Sequence, residues 1–171
     1  ECYGKNGEVL ERVFPARFSS EEKEEISIEK EKKYQLEFRP QLKLLNGLDK
    51  FLEATKEQNI KMAIGTAAIM FNVDFVLDGL NIRHYIDAIV SADDVEYSKP
   101  HPETFLKCAD YLSITYENCV VFEDAPKGVE AAANAGMQCV VLTTMHVQDD
   151  FAAYNNIIAY GKDFTNPAIL D

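Results

Sequence analysis

No run of apolar residues approaches the ~20 needed to span a bilayer, and no charged-then-apolar leader opens the chain. These two absences make the cytoplasm the expected location, with no membrane partner. Basic charge is scarce as well: Lys plus Arg number 17 against 29 Asp plus Glu, a formal net charge of −12. Such a chain repels a phosphate backbone, so nucleic acid is not an expected partner. One local lysine can still override the global sign for a small phosphorylated ligand. Cysteine is sparse and badly spaced for a metal. Cys2, Cys108, Cys119 and Cys139 form no CxxC and read as free thiols. Cys119 and Cys139 fall in apolar runs, where cysteine acts as a small hydrophobe. His84, His101 and His146 match neither HExxH nor Cys/His spacing, which speaks against zinc. No local Ser or Cys nucleophile signature accompanies them, so a hydrolase triad has no support. No Gly-rich P-loop or GxGxxG occurs, and nucleotide-loop folds are therefore unsupported. No internal repeat or low-complexity segment appears either.

What is there is a soluble globular composition, 47% hydrophobic and 27% charged, which excludes disordered and collagen-like classes. The first segment, through Phe38, reads as helical and heavily charged. Ser19 and Glu22 have capping-box spacing, and the Glu/Lys run that follows reads as a solvated helix face. Ile26, Tyr34 and Phe38 lie at helix-compatible spacings. Arg39-Pro40 breaks the pattern, and a domain boundary is placed there. Beyond it the chain alternates. Helices are expected from an Asn46 cap through Gln58, over 69–80 and 102–112, and over 128–135 with a stop at Gly136. Strands are expected at 60–64, 88–90, 119–122, 138–143 and 156–160. Strands alternating with helices imply βαβ units, a parallel sheet and an α/β fold with helices on both faces. Ligands of such sheets sit beyond the carboxyl ends of the strands.

Three strand ends carry chemistry. Gly65-Thr66-Ala67-Ala68 offers a hydroxyl and backbone N–H groups for an oxyanion, or a Thr that caps the next helix. Lys99 is followed by the stiffening Pro100 and Pro102, and reads as a positioned phosphate-binding cation or as a surface charge. Glu123-Asp124 places two carboxylates at the end of a buried strand, suited to Mg²⁺ or to helix capping. With Asp93 they are expected to crowd the same mouth. A hydroxyl, a lysine and a carboxylate pair together suit phosphoryl transfer, which depends on neutralising charge around the equatorial oxygens.

Ile64-Gly65-Thr66-Ala67-Ala68, Ser98-Lys99-Pro100-His101-Pro102-Glu103 and Val121-Phe122-Glu123-Asp124-Ala125-Pro126-Lys127-Gly128 resemble the second, third and fourth motifs of the haloacid dehalogenase superfamily. The likeness covers Pro40 to Thr144 and is strongest to the β-phosphoglucomutase-like and sugar-phosphatase branch. It implies a Rossmann-like three-layer α/β/α core over residues 39–171 and part of a helical cap over residues 1–38, with Tyr3-Gly4-Lys5-Asn6 as a cap loop. It implies that Thr66 and Ala67 hold the phosphoryl group, that Lys99 pairs with its oxygens and the nucleophile, and that Glu123 and Asp124 help hold Mg²⁺. The expected activity is a phosphatase or phosphomutase, acting as a monomer on a small phosphorylated metabolite such as a sugar phosphate. Halide chemistry gives the acidic pair no role.

The superfamily's first motif, D-x-D-x-[TV], supplies the nucleophilic aspartate and the acid/base on a central strand. Nothing here matches it; Asp93-Asp94 and Asp149-Asp150 lack the spacing and the preceding buried strand. Because the sequence opens at Glu1 within a cap-like helix, the expectation is that an N-terminal segment carrying the motif is missing from it. The alternatives are a separate complementing segment, or a non-catalytic phosphate-binding or regulatory module.

Overall fold

The computed structural model describes residues 6–170. Cys2 and the Tyr3-Gly4-Lys5 part of the expected cap loop lie outside the described residues. Two helices come first, α1 (Asn6–Val13) and α2 (Ser20–Phe38). Ser19 caps α2: its hydroxyl accepts from Glu22 N–H, and the Glu22 carboxylate accepts from Ser19 N–H. The capping box thus satisfies two orphan donors at once. The expected apolar stripe is only half formed. Tyr34 stacks on Phe38 at 5.3 Å but stays exposed, and the residue α2 buries is Glu31. Asn72, far along the chain, donates its amide to Glu31 Oε2 at 2.6 Å, and Lys30 Nζ donates to Oε1 at 2.7 Å.

The alternating part follows as α3 (Leu48–Glu57), β1 (Ala63–Gly65), α4 (Met70–Gly79), β2 (Ala88–Val90), α5 (Glu103–Leu112), β3 (Val120–Glu123), α6 (Pro126–Asn134), β4 (Gln138–Leu142), β5 (Ile157–Gly161) and α7 (Pro167–Leu170). The fold is α/β, and every strand pair is parallel. Helices cover both faces. Leu52 of α3 and Val73 and Leu77 of α4 pack with Ile64 and Ile89 on one face, while Cys108 of α5 meets Val90 and Ala63 on the other. The larger core joins Phe105, Val121, Val129, Ala131, Ala132, Cys139, Val141 and Phe151.

The sheet stands in two halves, β1–β2 and β3–β4–β5. Met62 O accepts from Asp87 N–H and Thr66 N–H donates to Val90 O, so alternate residues of β1 face β2. Ala63 and Gly65 must then turn their peptide groups to the opposite edge. Among the described residues no strand pairs with that edge, nor with the free edge of β3. Phe51 of α3 spans the division, 5.2 Å from the Phe122 ring and 4.8 Å from Phe164.

Two expectations fail locally. Asn46 does not cap α3. Gly47 takes the cap position at φ +77°, where a Cβ would lie 2.7 Å from Phe164 O, and the Asn46 amide bonds Asp163 instead. The first strand begins at Ala63 rather than Ile60, because Ile60 N–H still bonds Thr55 O and Lys61 Nζ reaches Leu112 O. Cys119 precedes β3 and is half-buried, whereas Cys139 is fully buried in β4.

Candidate active site

The carboxyl ends of β1, β3 and β4 open on one cleft of about 760 Å³, lined among others by Thr66, Ala67, Ser98, Lys99, Glu123, Asp124, Lys127, Thr144 and His146. At the end of β1 the Thr66 hydroxyl accepts from Ala68 N–H at 3.0 Å. Accepting leaves its own O–H to donate elsewhere. Thr66 is not the cap of α4: Ile69 holds that position, and the Asp93 carboxylate takes Met70 N–H at 2.9 Å. Asp93 is thereby drawn to the start of α4, away from the mouth it was expected to share.

Lys99 comes from the loop after β2 and stands across the division of the sheet. Its ammonium lies 3.2 Å from Gly65 O at the end of β1 and 2.5 Å from Glu123 Oε1 at the end of β3. It also sits 4.3 Å over the Phe105 ring. Both charged side chains are largely buried, at 14% and 10% exposure, so the pair is poorly screened. The other Glu123 oxygen accepts from Asp124 N–H and Ala125 N–H at the start of α6. Gly128 makes room for this: a Cβ there would lie 2.0 Å from the Glu123 carboxyl carbon. Asp124 accepts from the Thr144 hydroxyl at 3.0 Å through Oδ2. Among the described residues no group of three or more His, Cys, Asp or Glu side chains gathers as a metal site.

Thr66, Ala67, Lys99, Glu123 and Asp124 therefore line one cleft, although they lie on three separate loops. Sequence reading missed Thr144, Ser98 and His146 in the same wall. A signal was present for Thr144, a hydroxyl just past the end of a buried strand, the position where ligands of such sheets collect. Beneath the site burial pushes the Cys108 thiol up to about 11 and the Cys139 thiol up to about 12. Both stay protonated at neutral pH and are not nucleophiles. A second, larger cavity of about 1800 Å³ lies between α1–α2 and α4 and meets the first at Thr66 and Ala67.

The cleft thus gathers a hydroxyl, a lysine and an acidic pair at adjoining strand ends of a parallel α/β core covered by helices. The sequence model of the haloacid dehalogenase-like hydrolases matches residues 2–142, and the chain belongs to that family. It is 47% identical over 79 residues to fructose-1-phosphate phosphatase YqaB of Escherichia coli (strain K12), covering 46% of this chain and 42% of that protein. It is 33% identical over 107 residues to hexitol phosphatase B of the same organism, covering 63% of this chain and 48% of that one. The chain thus spans less than half the length of these relatives. Among solved structures, β-phosphoglucomutase from Clostridium difficile superposes with a TM-score of 0.77 at 29% identity, over 90% of this chain and 70% of that one. No helix among the described residues is long and apolar enough to cross a membrane.

Proposed function

We propose that this chain forms most of the catalytic core, residues 39–171, and the last part of a helical cap, residues 1–38, of a Mg²⁺-dependent phosphatase or phosphomutase acting on a small sugar phosphate. The observation that carries the reading is Lys99, whose ammonium bridges Gly65 O and Glu123 at the mouth of a cleft shared with Thr66 and Asp124. The relatives named fructose-1-phosphate phosphatase and hexitol phosphatase, and the likeness to a β-phosphoglucomutase, support the substrate class.

The free edges of β1 and β3 would together take one parallel strand, which would pair the backbone N–H and C=O groups that each edge presents. The nucleophilic aspartate would stand at the end of that strand, beside Lys99. Its carboxylate oxygen bonds to phosphorus as the bond from phosphorus to the sugar oxygen breaks, and the sugar oxygen takes a proton from an acid on the same strand. In a phosphatase, water then attacks phosphorus, releasing the aspartate and inorganic phosphate. In a mutase a second sugar hydroxyl attacks instead. The Thr66 hydroxyl and the Ala67 N–H hold equatorial oxygens, and Lys99 offsets their charge in a site where screening is weak. The residues present fit Mg²⁺, a hard cation that accepts one or two carboxylates and completes its shell with phosphate and water. Asp124, oriented by Thr144, and Glu123, folded against Gly128, would hold it. When bound, it supplies further neutralisation of the phosphoryl oxygens.

The test is hydrolysis of p-nitrophenyl phosphate with Mg²⁺ by the full-length protein, beside Lys99→Met and Asp124→Asn. A loss on the order of 10³-fold is expected for each variant. If the full-length protein is inactive, or Asp124→Asn keeps both activity and Mg²⁺ affinity, the phosphoryl-transfer reading fails and the phosphate-binding module takes its place.

A further inference from the structure

Lys99 stands on the loop between β2 and α5, outside any strand, so side chains rather than a strand ladder have to fix its position. Two side chains grip that loop on either side of the lysine. Before it, Glu103 Oε2 accepts from Glu96 N–H at 3.0 Å and from Tyr97 N–H at 2.9 Å. The other Glu103 oxygen meets Lys107 Nζ at 2.7 Å, and Lys107 also donates to Asp94 O at 2.6 Å. After it, the Asn134 amide donates to Pro100 O at 3.0 Å. Asn134 is the last residue of α6, the helix that begins directly after Asp124 and Ala125. One helix therefore reaches the surroundings of Lys99 from both of its ends. The N–H groups just before its first turn receive the Glu123 carboxylate that pairs with the ammonium, and its last residue holds the carbonyl of Pro100, the residue after the lysine. The helix works as a strut, and the distance between its two contacts is set by its backbone.

We propose that Asn134 is a positioning residue: through the Pro100 carbonyl it sets the Lys99 ammonium against Glu123, with Glu103 as the opposing grip. Asn134 is exposed, so shortening it removes a hydrogen bond without opening a cavity in the core. The catalytic consequence rests on the phosphoryl-transfer reading; the geometric one does not.

The experiment measures the Lys99 side-chain ammonium by nitrogen NMR in the full-length protein, together with steady-state hydrolysis of p-nitrophenyl phosphate. In Asn134→Ala the Lys99 resonance shifts and broadens, and kcat falls about tenfold with KM within about twofold, because misplacing a charge acts mainly on the transition state. Asn134→Asp keeps the shape but cannot donate, and behaves like Asn134→Ala. Asn134→Gln keeps a donor and recovers part of the loss. An unchanged Lys99 resonance in Asn134→Ala, or an Asn134→Asp that matches the parent, overturns the proposal. Should the parent hydrolyse no phosphate ester, the proposed function falls, and the Lys99 resonance alone still decides whether Asn134 positions it.

Discussion

The two half-sheets do the same job with different materials. The β3–β4–β5 half is held by apolar packing: Cys139, Val141, Val129, Ala131 and Phe151 are all fully buried. The β1–β2 half consists of two three-residue strands in which Val90 alone is buried; it packs on a smaller apolar core, and carboxylates add ties. Asp87 accepts from Met62 N–H at 2.9 Å, and Asp94 accepts from both the N–H and the hydroxyl of Ser91 at 2.7 Å. The difference teaches where the site draws its rigidity. The packed half presents Glu123 and Asp124, the polar half presents Thr66, and Lys99 makes the polar join between them.

The largest effect is expected at that join. Lys99→Ala leaves the Glu123 carboxylate largely buried without its cation, and breaking such a pair from one side typically costs about 3–5 kcal/mol. Denaturant unfolding of the full-length protein measures it, alongside the loss of activity. A cost below about 1 kcal/mol would mean that the pair does not couple the halves.

Phe151→Ala and Leu77→Ala compare the halves directly. Phe151 is fully buried in the large core and Leu77 is 2% exposed in the smaller one. Truncation is expected to cost about 3–5 kcal/mol at Phe151 and about 2–5 kcal/mol at Leu77. Native-state hydrogen exchange should rise in β3–β5 for the first and in β1–β2 for the second. Equal increases in both halves for both variants would show a single cooperative unit and end the distinction.

The halves also differed in how far the sequence revealed them. The packed half was legible because its signals are local. Apolar runs marked β3 and β4 closely, and Gly136 at φ +73° ends α6 as a glycine beyond a helix should. The strand ends of the site were legible for the same reason, since Thr66, Lys99, Glu123 and Asp124 each follow a strand within a short motif. The polar half hid its organisation in contacts between distant residues. Glu31 sat in a charge run that reads as solvated, yet Asn72 draws it into the interior. Asp93 looked like a third acid of the mouth until Met70 N–H claimed it. Asn46 had the right chemistry for a cap, but the chain after β5 runs so close that only a glycine fits at the next position. None of these is visible to a reading that sees a few residues at a time.

Acid should separate the halves with a smaller effect. Asp87 is held below the ordinary carboxylate range by the Met62 N–H and then by Lys56. Asp94 is lowered by the Ser91 hydroxyl and N–H, and Glu103 is brought to about 2 by Lys107 and the Tyr97 N–H. All three serve β1–β2 and its loops; Asp163, lowered by Thr165, lies after β5. A carboxylate whose folded pKa is depressed stabilises fully above its unfolded value, about 4, and loses that contribution as pH falls through the folded value. The amides of β1 and β2 should therefore lose protection first between about pH 4 and pH 2, with β4 following. Hydrogen exchange that opens β4 before β1 as pH falls would contradict the assignment of polar ties to the first half.

The finest probe is thiol chemistry, since a buried cysteine sits in each half. Cys108 packs on β1, its Sγ 3.6 Å from Ile64 O, and Cys139 lies inside β4. Half-buried Cys119 is raised by burial but has the easiest access, so alkylation at pH 8 should reach it first. Cys108, pushed up to about 11, should follow, and Cys139, pushed up to about 12 and fully buried, should come last. Peptide mapping separates these from Cys2. The gap between Cys108 and Cys139 is the quantity of interest, because both must wait for their surroundings to open before a thiolate can form. If the polar half opens more readily, Cys108 is alkylated well ahead of Cys139, although Lys99 lowers both thiols. If Cys139 keeps pace with Cys108, the two halves open together and the packed half has no greater hold than the tied one.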